Sequence, residues 1–503
     1  MKTDFLQRRP LPEARALFVA GVAPVGSEEV AVDDAAGRVA AASVVARHPS
    51  PHYRASAMDG IAVRSADTRA AGDAPLVLCA LAPSQPPDGA GPCCTPVDTG
   101  SLLPGWADAV VRIEDTVAED GGFRIRAAVP PGRDVRRAGE DIDEGTVLVP
   151  AGSRIRPWDV GAMLATGTTR VAVRRRPRVG IVATGSEVVE PGAGAGPGQV
   201  IESSSRVVAA LVERWGGSAH RLGIVADDEA GLRGAFADAA SRFDAVVAIA
   251  GSSAGRKDFT IATLASLGEL VVHGVDIAPG RPVALARLRS GGGEGAPTPA
   301  IAVPGYPVAT IVTCEQLLRP LVAALLGTAE ELPARLRAKV VRKVPSRLGV
   351  EEFRRACLVT QQDGTRVVAL LPAAAASISS VSGAHAWLRI GPAVEGIDAG
   401  TEVDVELLVS QEEVDAAFVL AGRPSADSRV LEEALRRRDP RARVLHLGLG
   451  PHDAAGAVER GEAHGLLATD VAAPLVARRV AGVGCEVAVQ PGSAGDRRLV
   501  AAS

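Results

Sequence analysis

The sequence predicts a multidomain α/β protein with a central doubly wound α/β domain, and three observations carry this prediction. The chain has 503 residues, which is too long for one hydrophobic core at roughly 150 residues per domain. From residue 178, short apolar segments alternate with amphipathic ones, which is typical of a parallel sheet covered by helices. Before and after this region, at 47–140 and 329–409, short apolar runs broken by Gly and Pro predict β-rich domains.

The bulk composition excludes several classes of protein. Hydrophobic residues make up 47% and charged residues 23%, and the formal net charge is -4, which gives no reason to expect nucleic acid as a partner. The six cysteines include no CxxC pair, so a zinc site and a disulfide scaffold are not expected. Without a signal-peptide core near the start or a run of 18 apolar residues, we expect a cytoplasmic protein that does not enter membranes.

The N-terminal third is predicted as one β-rich domain inserted into another domain. Residues 1–46 carry apolar residues at three- and four-residue spacing, which predicts helix in both PLPEARALFVAGV and EEVAVDDAAGRVAAASVVA. Residues 47–140 have the β-rich texture, and 141–177 return to a strand, turn and helix pattern. We therefore expect 1–46 and 141–177 to form one domain and 47–140 to be inserted into it.

The central domain, residues 178–328, is predicted strand by strand. Its strands are RVGIVATG, HRLGIVAD, DAVVAIAG and AIAVPG, and its helices lie in IESSSRVVAALVERWGG, EAGLRGAFADAASRF, FTIATLASLG and the long segment after PGYP. The piece SGGGEGAPTP at 290–299 is expected to be a hairpin tip or a loop between strands. Residues 329–409 are predicted as β-rich, and 410–503 as a small C-terminal βαβαβ unit.

Carboxylates follow the strands of the central domain at the ends where ligands bind in open parallel sheets. They are Glu187, Asp227, Asp228 and Asp258. Oxygen ligands of this kind suit Mg2+, which usually also bridges to phosphate. The loop from Gly251 to Gly255, which includes Ser253, is small enough for backbone N–H groups to approach a phosphate, and Lys257 lies beside it. The alternative is that Asp and Gly follow these strands only because they are common in loops. This alternative is less favoured for all four segments together than for any one of them.

Acids in the N-terminal third allow both a structural and a functional interpretation. Asp59 precedes Gly60 at the start of the apolar run GIAV, and an Asp-Gly pair is usually a turn. Thr99 precedes another Gly, and Asp141 lies in GEDID. Local chemistry alone does not choose between a turn acid and a site residue at any of these positions.

The chain resembles the molybdopterin molybdenumtransferases, the MoeA and gephyrin E-domain family, over residues 5 to about 408. The matching segments run in order: SAMDGIAV, DTGSLLPGWADAVVRIEDT, RRAGEDIDEGTVLVPAG, GIVATGSEVV, AGSSAGRKDFT, HGVDIAPGRPVA, VPGYPVATIVT, ISSVSGAHAWLRI and GIDAGTEVDVELL. The KDF and PGYP variants resemble the branch with a periplasmic-binding-protein-like C-terminal domain, of which 410–503 is similar to a part.

The resemblance implies an elongated four-domain fold, a β-barrel-like domain at 329–409, and a homodimer in which 1–46 and 141–177 form the linker and dimerisation domain. It implies insertion of molybdate, or tungstate, into adenylylated molybdopterin with Mg2+-dependent release of AMP. The implied cleft lies between the molybdopterin-binding α/β domain of one subunit and the inserted domain of the other. The residues that the resemblance assigns to this cleft are Asp59, Thr99, Asp141, Glu187, Asp227 or Asp228, Gly251, Ser253, Gly255, Lys257 and Asp258. Molybdate is expected near Arg281 and the turn from Pro304 to Pro307.

The chain departs from the family's pattern mainly on the side expected to bind the anion. The family's KPGKP reads APGRP here, with Ala278 and Arg281, and Val350 follows Gly349 where the family has Gly-Arg. Ala374–Ala376 replace Gly-Ser-Gly, and His385 replaces an Asn or Asp. These departures motivate the alternative hypothesis of a non-catalytic paralogue that acts as a pterin- or oxyanion-binding or regulatory scaffold.

Overall fold

The computed structural model describes residues 8–82, 85–89, 91–250, 259–289, 296–361, 363–424 and 426–465, together with two strands near the C-terminus. The chain divides into two compact units. The larger unit contains Met1–Pro24, Arg176–Leu325 and Glu330–Ser503, and the smaller unit contains Val25–Arg175 and Leu326–Ala329.

The smaller unit is built around a six-stranded sheet that lies within the predicted inserted segment. In spatial order its strands are Ala109–Arg112, Gly60–Val63, Cys93–Val97, Leu76–Ala80, Gly122–Ile125 and Thr116–Glu119. Ile61, Leu78 and Ile125 are fully buried on one face of this sheet. Outside it lie three two-stranded pairs, Ser27–Ala31 with Arg170–Arg174, Val44–Val45 with Val147–Val149, and Ala55–Ser56 with Val135–Arg136, and one helix, Pro157–Ala165.

The prediction of helix throughout residues 1–46 is wrong in its second half. Leu11–Val19 is helical, but EEVAVDDAAGRVAAASVVA forms a strand, a 3-10 turn at Val32–Asp34 and a second short strand. Gly37 has a φ of +80°, a left-handed conformation that interrupts any helix. Antiparallel pairing with Arg170–Arg174 satisfies the backbone groups instead, so the distant strand outweighs the local spacing.

The central domain of the larger unit is the predicted doubly wound α/β fold. Its sheet has the order Ser218–Val225, Arg178–Thr184, Ala245–Ala250, Thr298–Pro304, Ala284–Leu288 and Gly268–His273. The first four strands are parallel. Ala284–Leu288 runs antiparallel to both of its neighbours, and Gly268–His273 is the edge strand beside it; the sequence reading did not separate these two strands. The helices that cover this sheet are Ser204–Arg214, Glu229–Arg242, Phe259–Leu267 and Pro307–Thr313. The last of these continues through a π-turn, Cys314–Leu318, into Arg319–Leu326.

Ala284–Leu288 and Thr298–Pro304 pair antiparallel, so the Gly-rich segment between them connects a hairpin, although most of its tip lies outside the described residues. The helix Pro307–Leu326 is the one helix of the described chain that is long and apolar enough to cross a membrane. Its length and composition are weak evidence for a membrane span, because 72% of its most apolar window is buried within the protein and a core helix passes the same test.

A closed five-stranded barrel follows, as the β-barrel-like prediction requires. Around the barrel the strands are Glu351–Thr360, Arg366–Leu370, Arg335–Val340, Glu402–Leu407 and Ala386–Ile390, and the last pairs again with the first. The two-residue strands Val344–Pro345 and Gly396–Ile397 pair beside it. A short strand of the central domain, Ile277–Ala278, adds in parallel to the start of Glu351–Thr360 and joins the two domains through their backbones.

The C-terminal unit shows the predicted parallel βαβ pairing and packs on the barrel. The strands Ala417–Leu420 and Arg443–His446 are parallel, and the helices are Gln411–Asp415, Ala426–Arg438 and Pro451–Glu459. Cys357 and Val367 of the barrel share one apolar cluster with Val419 and Leu447 of this unit. Two further strands, Glu486–Gln490 and Arg498–Ala502, pair antiparallel.

Two buried histidines form hydrogen bonds with the backbone of the barrel and of the C-terminal unit. His385 is 4% exposed, and its Nδ1 accepts a hydrogen bond from the Leu358 N–H at 3.0 Å. His464 is 8% exposed, its Nδ1 accepts from the Val419 N–H at 2.9 Å, and its Nε2 lies 3.3 Å from the Thr360 carbonyl oxygen. Burial lowers the pKa of both rings, that of His385 to about 4, because the charged imidazolium would lose its hydration.

We expect acid to destabilise the barrel through His385. Its folded pKa of about 4 lies below the ordinary value of 6.5, so the unfolded chain binds the extra proton first and stability falls as the pH drops from about 6.5 towards 4. A shift of this size corresponds to a loss of about 3 kcal/mol once the pH has fallen below 4, of which about 2 kcal/mol is lost between pH 7 and pH 5. Urea unfolding at pH 7 and pH 5 measures the loss, and His385→Asn, which keeps an acceptor for Leu358, is expected to reduce it.

His52→Gln is the matched control, because His52 is exposed and lies in the other unit. It is expected to leave the pH dependence of unfolding unchanged. An identical pH dependence in wild type and His385→Asn would contradict the assignment.

Candidate functional site

A cavity of about 430 Å³ lies at the carboxyl ends of the parallel strands of the central domain. Thr184 and Ile249 line it from two neighbouring strands, and Glu187, Tyr306 and Pro307 line it from the turns that follow strands. The remaining lining residues are Ala183, Val188, Val200, Ile201, Glu202, Ser203, Ser204, Gly305 and Ala376. The cavity is therefore largely apolar with a few acids and hydroxyls, which is the usual composition of a small-molecule site.

The turn that carries Glu187 is fixed by its backbone. Gly185 has a φ of +142°, and its N–H donates to the Val225 carbonyl of the neighbouring strand at 3.2 Å. The Glu187 carbonyl accepts from the Val200 N–H at 2.9 Å, which continues into a short parallel pair between Val188–Val189 and Val200–Ile201. The Glu187 carboxylate itself is exposed at the cavity, so it is free to meet a ligand.

The structure distinguishes Asp227 from Asp228. The Asp228 Oδ1 accepts from the Gly231 N–H at 2.7 Å and caps the helix Glu229–Arg242. The Asp227 N–H donates to the Ser186 hydroxyl at 3.3 Å, which ties the end of this strand to the turn before Glu187. Of the two acids, Asp227 is therefore the one whose backbone is bonded to the turn that carries Glu187.

Sequence reasoning missed a buried acid in the cavity wall, Glu202. It is 4% exposed, and its two carboxylate oxygens accept from the Ser205 N–H and the Ser205 hydroxyl, both at 2.7 Å. Arg206 donates to the same carboxylate at 2.6 Å and also to Glu190 at 2.7 Å. The signal was present as an acid just before the serines that begin the helix Ser204–Arg214, where a carboxylate meets free N–H groups.

The turn from Pro304 to Pro307 forms the opposite wall. The Thr310 hydroxyl donates to the Pro304 carbonyl at 2.6 Å, and the Thr310 N–H donates to the Tyr306 carbonyl at 2.9 Å. The Val308 N–H donates to the Ala375 carbonyl at 3.1 Å, so a loop of the barrel is attached to the first turn of this helix. Glu187 and Pro307 thus line one cavity, as the strand-end argument predicts.

Beneath that barrel loop lies a second residue that sequence reasoning did not single out, Arg355. It is 3% exposed and donates to the Pro372 and Ala374 carbonyls, while its Nε has no hydrogen-bond partner among the described residues. Burial lowers its pKa, with a smaller contribution from the charge of Arg354. Within the described part of the chain Arg355 forms no ion pair with a carboxylate, and a buried guanidinium is stabilised by negative charge nearby.

Arg281, the residue expected to bind molybdate, does not line the cavity. It is half-buried in the loop before Ala284–Leu288, and its carbonyl accepts from the Val275 N–H at 3.0 Å. The adjacent Gly280, at a φ of +121°, packs against Thr313, whose buried hydroxyl has no hydrogen-bond partner among the described residues. Arg281 and an unpaired hydroxyl are therefore near each other beside the long helix.

Five of the predicted site residues, Gly251, Ser253, Gly255, Lys257 and Asp258, lie outside the described residues. Their loop begins directly after the strand Ala245–Ala250, whose Ile249 lines the cavity. Within the part of the chain that the structure describes, no group of three or more His, Cys, Asp or Glu residues is placed to hold a metal ion.

The smaller unit brings Asp59 and Thr99 together. The Asp59 Oδ1 accepts from the Thr99 N–H at 2.6 Å and from the Thr99 hydroxyl at 2.8 Å. These two hydrogen bonds, the backbone one most, lower the pKa of Asp59 and keep the exposed carboxylate ionised. Asp141 is exposed, and its N–H donates to the Ser50 carbonyl at 3.1 Å, so it lies in a different loop contact of the same unit.

Three family models match successive parts of the chain. The MoeA N-terminal region (domain I and II) matches residues 9–167, the probable molybdopterin binding domain matches 180–324, and the MoeA C-terminal region (domain IV) matches 337–408. Residues beyond 408 fall outside these matches. The cavity lies within the second match, apart from Ala376, which the third contributes.

Similar proteins agree with these matches. The molybdopterin molybdenumtransferase of Haemophilus influenzae is 30% identical over 348 residues, which cover 68% of this chain and 83% of that protein. Molybdopterin molybdenumtransferase 1 of Mycobacterium tuberculosis is 30% identical over 80% of this chain and 99% of its own length. Two solved structures of the molybdopterin biosynthesis MoeA protein from Pyrococcus horikoshii, 29% and 26% identical, match with TM-scores of 0.68 and 0.65, each covering 80% of this chain and 100% of the other.

The Gly185 turn gives a test of how the Glu187 carboxylate is placed. A Cβ at Gly185 would lie 2.6 Å from the Val188 Cγ2 and 3.1 Å from the Glu187 Oε2, in a backbone conformation that side chains rarely adopt. We expect Gly185→Ala to destabilise the larger unit by about 1–3 kcal/mol, measured by chemical denaturation. The control Gly234→Ala, in the helix Glu229–Arg242 with open space at its Cβ, should be neutral or stabilising by less than about 1 kcal/mol. Equal stability of Gly185→Ala and wild type would contradict the interpretation.

Proposed function

Because the chain belongs to the MoeA family of molybdopterin molybdenumtransferases, transferases of molybdenum cofactor biosynthesis, we propose that it inserts molybdate into adenylylated molybdopterin with Mg2+-dependent release of AMP. The observation that carries this proposal is the cavity at the strand ends, which combines an exposed carboxylate with an apolar wall large enough for a fused ring. The comparisons do not favour the non-catalytic alternative, because the relatives are named as transferases.

Glu187 and Asp227 are proposed to hold Mg2+ in a site of the kind that is completed by substrate. Mg2+ is commonly held by one or two carboxylates together with phosphate oxygens and water. Glu187 offers an exposed carboxylate, and the hydrogen bond between Ser186 and Asp227 brings the two strand ends together. Asp228 is engaged as a helix cap, and Asp258 is retained as a third candidate from the resemblance alone. When bound, Mg2+ would neutralise the pyrophosphate of the substrate.

The oxyanion substrate, molybdate or tungstate, is assigned to two basic side chains, Arg281 and Arg355, and not to the acids that are proposed to hold Mg2+. Arg355 supplies a fixed positive charge below the loop of Ala374–Ala376, and Arg281 supplies a second beside the unpaired hydroxyl of Thr313. A guanidinium that is already desolvated and held by hydrogen bonds stabilises an oxyanion without reorganising. Molybdate and tungstate are both candidates, because their charge and shape are nearly the same.

Asp59 is proposed as an ionised carboxylate that acts in the reaction from the smaller unit. The two hydrogen bonds from Thr99 hold one oxygen and leave the other free to accept a proton or orient a substrate group. In the homodimer that the family resemblance implies, Asp59, Thr99 and Asp141 belong to the half of the cleft that the other copy completes. We also propose a cytoplasmic location, which the free thiols of the five described cysteines support.

The proposed turnover is tested by removing one charge at a time. Asp59→Asn and Glu187→Gln keep the shape of each side chain, so we expect folded proteins whose rate of AMP release falls about a hundredfold or more. AMP is measured by chromatography after mixing purified protein with adenylylated molybdopterin, molybdate and Mg2+, and chelation of Mg2+ should abolish its release.

Matched controls separate this effect from a general loss of surface charge. Asp120 and Glu229 are exposed acids on the same two units, and Asp120→Asn and Glu229→Gln should turn over like wild type. Wild-type rates in Asp59→Asn and Glu187→Gln would refute the assigned roles, and a wild-type protein that binds but never releases AMP would refute the transferase proposal.

The homodimer remains a prediction, and the exposed helix face around Trp158 supports it. On the helix Pro157–Ala165, Trp158 is 66% exposed and Leu164 is 44% exposed, although large apolar side chains of this kind usually find a partner surface. We expect Trp158→Asp to convert a dimer to a monomer in sedimentation velocity, because a buried carboxylate would be desolvated at an interface. The control Trp158→Phe should remain dimeric, and a dimer that persists in Trp158→Asp excludes this face.

A further inference from the structure

Tyr306 presents an aromatic ring at the cavity that neither the family match nor the catalytic proposal uses. It is 51% exposed, although the strand before it and the helix after it are largely buried, and it lines the cavity together with Pro307. The turn reads PGYP, the variant spelling that the sequence analysis noted.

The backbone of Tyr306 is fixed independently of its side chain. Its carbonyl accepts from the Thr310 N–H at 2.9 Å and from the Thr310 hydroxyl at 3.1 Å, and Pro307 begins the helix immediately after it. The attachment of Val308 to the barrel loop holds the same turn from the other side. Another residue type at 306 could make the same backbone contacts. These contacts therefore do not explain why an exposed aromatic ring lies there.

The surroundings of the ring are apolar and open. Val200 and Ile201 of the short strand in the cavity wall are 56% and 52% exposed, and Ala376 of the barrel loop lines the same space. Exposed aliphatic and aromatic side chains gathered at one concave surface are characteristic of a ligand groove. Glu187 and Glu202 line the same cavity, so the ring and the two carboxylates border one space.

We propose that Tyr306 stacks on a flat, nitrogen-rich fused ring of the substrate and is a specificity-determining residue of this site. The inference rests on the proposed function, whose substrate carries two rings of this chemistry, a pterin and an adenine. A phenol ring held on a rigid turn offers a large contact face at little cost in side-chain entropy. Val200, Ile201 and Ala376 then exclude water from the edge of the stacked ring, while the charged end of the substrate extends towards Glu187.

Binding of two separate probes to the full-length protein tests the proposal without turnover. Pterin-6-carboxylate and AMP each carry one of the two rings, and calorimetry measures their dissociation constants for wild type, Tyr306→Phe, Tyr306→Leu and Tyr306→Ala. Stacking on one aromatic ring corresponds to a change of about tenfold in affinity. We expect Tyr306→Phe to bind within about twofold of wild type, and Tyr306→Leu and Tyr306→Ala to bind one probe about tenfold more weakly.

The probe that is affected identifies which ring lies on Tyr306. A loss confined to the pterin probe assigns the pterin, and a loss confined to AMP assigns the adenine. Unchanged binding of both probes to Tyr306→Ala, or a Tyr306→Leu variant that binds as well as Tyr306→Phe, would overturn the stacking role. So would a wild-type protein that binds neither probe. Binding that follows this pattern in a protein with no AMP release would refute the transferase proposal and leave the ring site standing.

Discussion

A buried guanidinium without a carboxylate partner among the described residues holds together the parts on which the candidate site depends. Arg355 extends from the longest barrel strand, and its two terminal nitrogens donate to the Pro372 and Ala374 carbonyls. The next residue of that loop, Ala375, accepts the Val308 N–H of the central domain. Because leaving any of these polar groups unpaired in a buried place costs about 1–3 kcal/mol, the barrel loop and the cavity wall are positioned as one piece.

This arrangement changes the meaning of the departures from the family pattern. The loop at Ala374–Ala376 acts through its carbonyl oxygens, which alanine provides as well as glycine or serine does. His385 accepts a backbone N–H deep in the barrel, so it serves the barrel fold. Val350, 5% exposed, is also part of the buried interior. These substitutions are compatible with the transferase proposal. Ala278 pairs through its backbone with Glu352 of the barrel, and nothing in the structure explains why its side chain is not the lysine of the family pattern.

Sequence alone predicted the α/β alternation and an acid after the first strand, because the spacing of apolar residues and the order of segments along the chain are local patterns. The prediction failed where residues that are distant along the chain determine the local structure. The segment after Leu11–Val19 became a strand by pairing with Arg170–Arg174, although its spacing favoured a helix. Arg355 and Glu202 were missed for the same reason, since each is made important by burial and by partners that the local sequence does not display.

The two acids of the cavity illustrate how partners separate similar groups. Both carboxylate oxygens of Glu202 accept hydrogen bonds from Ser205 and Arg206. Glu202 therefore fixes the start of a helix and has little capacity left to bind a ligand. Glu187 is exposed at the cavity on a turn whose backbone is held by its neighbours. Removing the charge of Glu202 would therefore act first on folding, and removing that of Glu187 would act first on ligand binding. Of these two acids, Glu187 is therefore the one that we propose for the chemistry, because its carbonyl is held by Val200 while its carboxylate is exposed.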